Sequence, residues 1–197
     1  MDSTVNPTNI PSSLTRHQLE DWILFGICVA NKEATQTRKK LDALLKDFGR
    51  HASPFDRVRS AMAKGTLMAL LTKHRVGQYG RIYKAFTQVV ELDLDNISVA
   101  SLESVHGIGP KTARMTLLYY LPDAEVVPLD THILKYLRKL GYEDAPKATP
   151  PAGKSYAKWE AIFVAEAKKA GATVREFDTY VWRMYAKSQN GSMGTRG

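Results

Sequence analysis

Val105-His106-Gly107-Ile108-Gly109-Pro110-Lys111-Thr112-Ala113 is followed, nineteen residues beyond its lysine, by Asp130 within Val127-Pro128-Leu129-Asp130-Thr131-His132. Gly107 and Gly109 flank one apolar residue and permit positive φ and close backbone approach, and Pro110 suits the first position of a helix. The first stretch therefore predicts a tight hairpin that ends in a helix N-terminus. Such an end carries free N–H groups and partial positive charge, a natural seat for a phosphate. Lys111 is out of place there. A cation in the first helical turn opposes the macrodipole, and the same field favours an unprotonated, nucleophilic amine. Asp130 precedes Thr131 to Leu137, whose apolar residues recur at helical spacing, so its plainest role is helix N-cap. Lysine and aspartate together in these settings point to chemistry on a nucleic acid.

The flanking sequence reads as helix nearly throughout. Thr15 and Gln18 form a capping box for a helix whose Leu19, Trp22, Ile23, Gly26 and Ala30 share a face. A second helix spans 33–48 and stops at Gly49; Ser53-Pro54 opens a third that ends around Gly65. Thr66 opens a fourth that Gly77 ends, and Arg81 to Leu92 make a fifth. Ser98 starts a short helix into the hairpin, and Pro110 to Tyr120 form its partner. Beyond the helix after Asp130, a Pro- and Gly-rich loop at 143–153 precedes Ser155 to Ala170, and Thr173 with Glu176 caps a last helix through Ala186. No strand, repeat or low-complexity segment is expected, so the fold class is all-α.

Composition narrows the function classes. With 28 Lys+Arg against 20 Asp+Glu the formal charge is +8, which fits a polyanion partner, and 44% hydrophobic residues over 197 positions support a globular core. The single cysteine, Cys28, lies in the apolar run Trp22 to Ala30 and reads as a buried thiol. One cysteine cannot form an intramolecular disulfide or supply the four thiolates of an iron–sulfur cluster, and no histidine pair has zinc-ligand spacing, so no catalytic metal is expected. No apolar run approaches the roughly 20 residues that span a bilayer, and Met1 to Pro7 lacks a signal-peptide core. The expectation is a soluble intracellular protein with no membrane partner, in the cytoplasm or nucleoid, or in a nucleus.

Gly107-Ile108-Gly109-Pro110-Lys111-Thr112-Ala113 followed by Val127 to His132 resembles the helix-hairpin-helix DNA glycosylase superfamily of endonuclease III and 8-oxoguanine DNA glycosylase. The likeness extends over residues 15–187, strongly at 100–137 and loosely elsewhere. It implies two helical lobes flanking a DNA-binding cleft, with residues 33–121 in the hairpin-bearing lobe and 1–32 with 122–197 in the other. The chain departs from those relatives that carry a four-cysteine cluster near the C-terminus, because it ends without one.

The resemblance also implies roles. Asp130 would stabilise positive charge on the sugar as the glycosidic bond breaks, and Lys111 would attack the anomeric carbon to form a Schiff base whose elimination cuts the strand. Gly107, Ile108, Gly109, Thr112 and His106 would meet the DNA backbone. A monovalent cation, K+ or Na+, is expected at the carbonyls of Glu103, Val105 and Ile108. The target base must leave the stack, so a side chain should fill the gap. Asn31 reads either as that filler or as a helix C-cap. Gln78 and Tyr79, beside Arg81, read either as a wedge loop or as a surface turn with a packing tyrosine. Phe177 and Asp178 on the last helix would line the base pocket, although an aromatic stripe of this kind is more often core. Arg38, Lys39, Lys64, Arg75 and Arg81 are candidate phosphate contacts or simply solvated charges.

The implied partner is duplex DNA containing a damaged or modified base, bound by a monomer. Excision of an oxidised base with strand cleavage is the leading expectation. The Lys111 to Asp130 interval and Pro128 lean toward 8-oxoguanine. Action on a modified base that is not damage remains open, as does a non-catalytic hairpin that clamps phosphate.

Overall fold

The computed structural model describes residues 14–30, 32–49 and 53–190, with side chains through Tyr185. They form ten helices and no strand among the described residues. In order these are α1 (Arg16–Val29), α2 (Ala34–Asp47), α3 (Pro54–Ala63), α4 (Leu67–Lys73), α5 (Tyr79–Val89), α6 (Val99–Glu103), α7 (Pro110–Tyr120), α8 (Thr131–Lys139), α9 (Lys154–Lys169) and α10 (Val174–Asn190).

Local sequence explains most boundaries. The Thr15 hydroxyl accepts from the Gln18 N–H at 3.3 Å while the Gln18 side chain accepts from the Thr15 N–H at 2.9 Å, closing the expected capping box. Ser53 caps α3 ahead of Pro54, and the Ser98 and Ser101 side chains cap the short α6 reciprocally. Thr173 and Glu176 do the same for α10, which runs four residues past the expected end at Ala186. The stretch between α4 and α5 differs from its reading. α4 stops at Lys73 instead of Gly77, and α5 begins at Tyr79 instead of Arg81, because Arg75 (φ 51°) and Gln78 (φ 50°) take left-handed conformations beside Gly77 (φ 71°). Three such residues within four positions unwind the chain early and restart it early.

Buried side chains form two clusters. The first gathers α1 to α5, the hairpin residues Leu102, Val105 and Ile108, and Ala113 and Leu117 of α7. The second begins at the next residue, Leu118, and takes in Val127, Leu129 and the inner faces of α8, α9 and α10. Consecutive leucines on α7 thus point into different cores, because 100° per residue carries them to different faces. Leu19, Ile23, Leu24, Ile27 and Cys28 of α1 lie in the first cluster, and α1 packs on α2, α3, α5 and α7. α1 is buried over most of its circumference, from Leu19 to Cys28 apart from Asp21 and Trp22, and such a helix sits inside a core. No helix among the described residues is long and apolar enough to cross a membrane.

Candidate active site

Pro110 occupies the first turn of α7, with Gly109 as the capping residue before it. Only one of the two hairpin glycines uses its conformational freedom: Gly107 has φ 81°, whereas Gly109 is extended. Among the described residues nothing comes within 4 Å of where a Cβ on Gly109 would stand. Ile108 is buried in the first core and fixes the turn from below. Lys111 follows in the first turn, exposed, and no hydrogen bond or ion pair holds its side chain among the described residues.

Asp130 is the N-cap of α8. Its Oδ1 accepts from the N–H groups of His132 and Ile133, both at 2.9 Å, so the structural role read from sequence is filled. It does not exhaust the residue. Lys111 and Asp130 line the same cavity, about 160 Å³ in volume, together with Trp22, Tyr119, Asp178 and Trp182. The walls therefore come from α1, α7, α10 and the start of α8, where the two cores meet. His132 also lines it, its ring stacked on Tyr185 with centroids 5.4 Å apart.

Asp178 is the buried acid of this cavity, only 8% exposed. The Tyr119 hydroxyl donates to its Oδ2 at 2.9 Å. Burial pushes the Asp178 carboxyl up to about 7, opposed by the Tyr119 hydrogen bond; nearby Asp130 raises it further and Lys111 lowers it. Burial and the adjacent carboxylate in turn push the Tyr119 phenol upward.

The other sequence candidates scatter. Phe177 is in the second core against Phe163 and Tyr136, at 5.1 and 5.6 Å between centroids, and does not line the cavity. Thr112 turns its methyl toward Gly26 of α1, where a Cβ would come within 3.1 Å. His106 is exposed, and its N–H donates to Gln88 at 2.7 Å. Arg81 donates to the Ile27 carbonyl at 2.6 Å, to the Gly107 carbonyl at 3.2 Å and to Gln78 Oε1 at 2.5 Å, so it braces the hairpin against α1. Arg38 is engaged by Asp21 at 2.7 and 3.0 Å and by Asp42 at 2.9 Å, which removes it from the solvated charges. Lys39, Lys64 and Arg75 are exposed. Gln78 is exposed just before α5, and Tyr79 packs partly against the first core. Asn31 lies outside the described residues.

In the turn between α6 and α7, the Val105 carbonyl accepts from the Ile108 N–H at 3.1 Å. Among the described residues no cluster of three His, Cys, Asp or Glu side chains could hold a metal ion. Cys28 is fully buried, and burial raises its thiol to about 12, so it is not a nucleophile.

Sequence reasoning missed Trp22, Tyr119 and Trp182 as cavity residues. Trp182 was within reach of it, since it stands four positions after Asp178 and shares its face. Trp22 gave no such signal, because α1 is apolar on nearly every side. Compared with models of protein families the chain matches none, and no curated protein matches it.

Proposed function

We propose that the chain is a DNA glycosylase with abasic-site lyase activity that excises an oxidised base, with 8-oxoguanine favoured. The observation that carries this reading is the meeting of Lys111 and Asp130 at one cavity, each delivered by a helix N-terminus and each with reactive capacity unspent. Asp130 commits Oδ1 to capping, and its Oδ2 has no hydrogen bond among the described residues and is available to the sugar. As the glycosidic bond breaks, that carboxylate stabilises the positive charge developing on the sugar. The Lys111 amine then bonds to the anomeric carbon in place of the departed base, the C1′–O4′ bond opens with O4′ taking a proton as the Schiff base forms, and loss of a C2′ proton breaks the C3′–O bond and expels the 3′ phosphate.

The cavity, about 160 Å³ and lined in part by the indoles of Trp22 and Trp182, is the proposed seat of the extruded base. Tyr119 occupies one oxygen of Asp178 and leaves the other for a ring N–H of the ligand. 8-Oxoguanine and oxidised pyrimidines both offer such donors. The exposed Gly109 and the N–H groups at the start of α7 supply a seat for the DNA phosphate.

Borohydride trapping on duplexes carrying 8-oxoguanine, thymine glycol, uracil or a preformed abasic site tests the reading. The parent protein should give a covalent adduct on an oxidised base and on the abasic site. Lys111→Gln should lose that adduct while binding the same duplexes within a few-fold of the parent. Absence of an adduct on every duplex, with binding intact, would favour a non-catalytic clamp, for which the capping role of Asp130 is already sufficient.

A further inference from the structure

Lys111 and Asp130 stand on different helices joined by 121–129, a segment with no helix or strand. Their separation therefore depends on how that segment is held. The polar main-chain groups of Val127 and Leu129 are all engaged. The Val127 N–H donates to Glu160 Oε1 at 2.9 Å, and the Tyr156 hydroxyl donates to the Val127 carbonyl at 2.9 Å. The same hydroxyl accepts from the Leu129 N–H at 2.9 Å, and Thr149 donates to the Leu129 carbonyl at 2.7 Å. The strand of chain that delivers Asp130 is thus fastened to α9.

Arg114 fastens α9 to the hairpin. It stands one turn along α7 from Lys111 and donates through Nε to Glu160 Oε1 at 2.8 Å. Through Nη1 it donates to Glu103 Oε1 on α6 at 2.7 Å and to the Pro110 carbonyl at 3.3 Å, and its guanidinium lies 4.2 Å from the centre of the Tyr156 ring. One planar cation joins both helices of the hairpin to Glu160 and Tyr156, two of the three side chains that grip Val127 and Leu129. Its guanidinium is largely desolvated, with a side chain only 12% exposed, which makes forked, stacked geometry hard for lysine to reproduce. Neither Arg114 nor Glu160 lines the cavity.

We propose that Arg114 and Glu160 are positioning residues that set the distance between the Lys111 amine and the Asp130 carboxylate, an assignment that rests on the catalytic reading of that pair. Misplacement of reacting groups by about 1 Å costs on the order of a hundredfold in rate, so loosening this clamp acts on the chemical step and not on DNA capture.

The test is single-turnover base release at saturating enzyme with Arg114→Met, Glu160→Gln and the double variant, alongside duplex affinity. Base release should slow at least tenfold in each single variant with Kd within twofold of the parent, and the double variant should be no slower than the slower single, because both break one unit. Arg114→Lys should recover only part of the rate. Rates within twofold of the parent, or losses that follow Kd, would overturn the assignment.

Amide hydrogen exchange reads the same clamp without any activity. The His132 and Ile133 N–H groups are capped by Asp130, so their protection reports its placement. Arg114→Met should speed exchange at Val127, Leu129, His132 and Ile133 while leaving α2 and α5 unchanged. A uniform rise across all helices would mean plain destabilisation, and no change at His132 and Ile133 would refute positioning. If the parent releases no base from any duplex, the glycosylase reading fails on its own, and the exchange pattern still decides whether Arg114 sets Asp130.

Discussion

Asp178 is the side chain at which position and environment conflict most. It sits at the meeting point of two cores with its carboxyl raised from an ordinary 3.8 to about 7. Between those values the folded chain retains a proton that the unfolded chain has released, so stability falls as pH rises through that window. Below about pH 4 both states are protonated and the penalty is absent; above about pH 7 it is complete. At 1.36 kcal/mol per unit its upper limit is roughly 4 kcal/mol. Asp178→Asn keeps an acceptor for the Tyr119 hydroxyl and removes the charge. It should be more stable than the parent at pH 8, by an amount that shrinks toward pH 5, in urea denaturation of both proteins. Identical pH slopes would assign the dependence to another group. Asp178 and Phe177 also mark the limit of reading a pocket from sequence. Neighbours on a helix are 100° apart, so Asp178 reaches the cavity while Phe177 enters the core. Helical periodicity separates two such faces but does not say which one meets a ligand.

Among the elements, α8 carries a cap, Asp130, to which the proposed function gives a second duty. Asn and Asp cap helices about equally well, whereas Ala does not. Asp130→Asn should therefore hold thermal stability within about 0.5 kcal/mol of the parent while slowing base release strongly, and Asp130→Ala should add a loss of about 1 kcal/mol. Equal base release by parent and Asp130→Asn would leave capping as the residue's whole role. The helix starts were the most legible part of the fold, because Thr15, Ser53, Ser98 and Thr173 each satisfy an orphan N–H by a side chain whose type is visible in sequence. The turn before α5 was not, because Arg75 and Gln78 adopt a conformation that their residue types do not announce. The clamp around Arg114 was equally hidden. It joins α6, α7, α9 and the 127–129 segment, and no local spacing relates residues 11 to 46 positions apart.

For the whole molecule, a formal charge of +8 predicts sequence-independent attraction to a polyanion. Affinity for an undamaged duplex should fall steeply between about 50 and 200 mM salt, with log K linear in log salt concentration. A flat response in a fluorescence anisotropy titration would remove charge as a reason for expecting DNA. Exposed Lys39, Lys64, Arg75 and Lys111 remain to contribute to that slope, whereas Arg38, Arg81 and Arg114 are spent on carboxylates and carbonyls inside the fold. The all-helical class was readable from periodicity and caps. The adjacent Leu117 and Leu118, turned into separate cores, have a further bearing on modularity. A fragment ending at Tyr120 keeps the amine and lacks the carboxylate, and one beginning at Leu121 keeps the carboxylate and lacks the amine. Neither half could be exchanged between proteins with the proposed chemistry intact, because Lys111 and Asp130 meet at one cavity only where both cores are present.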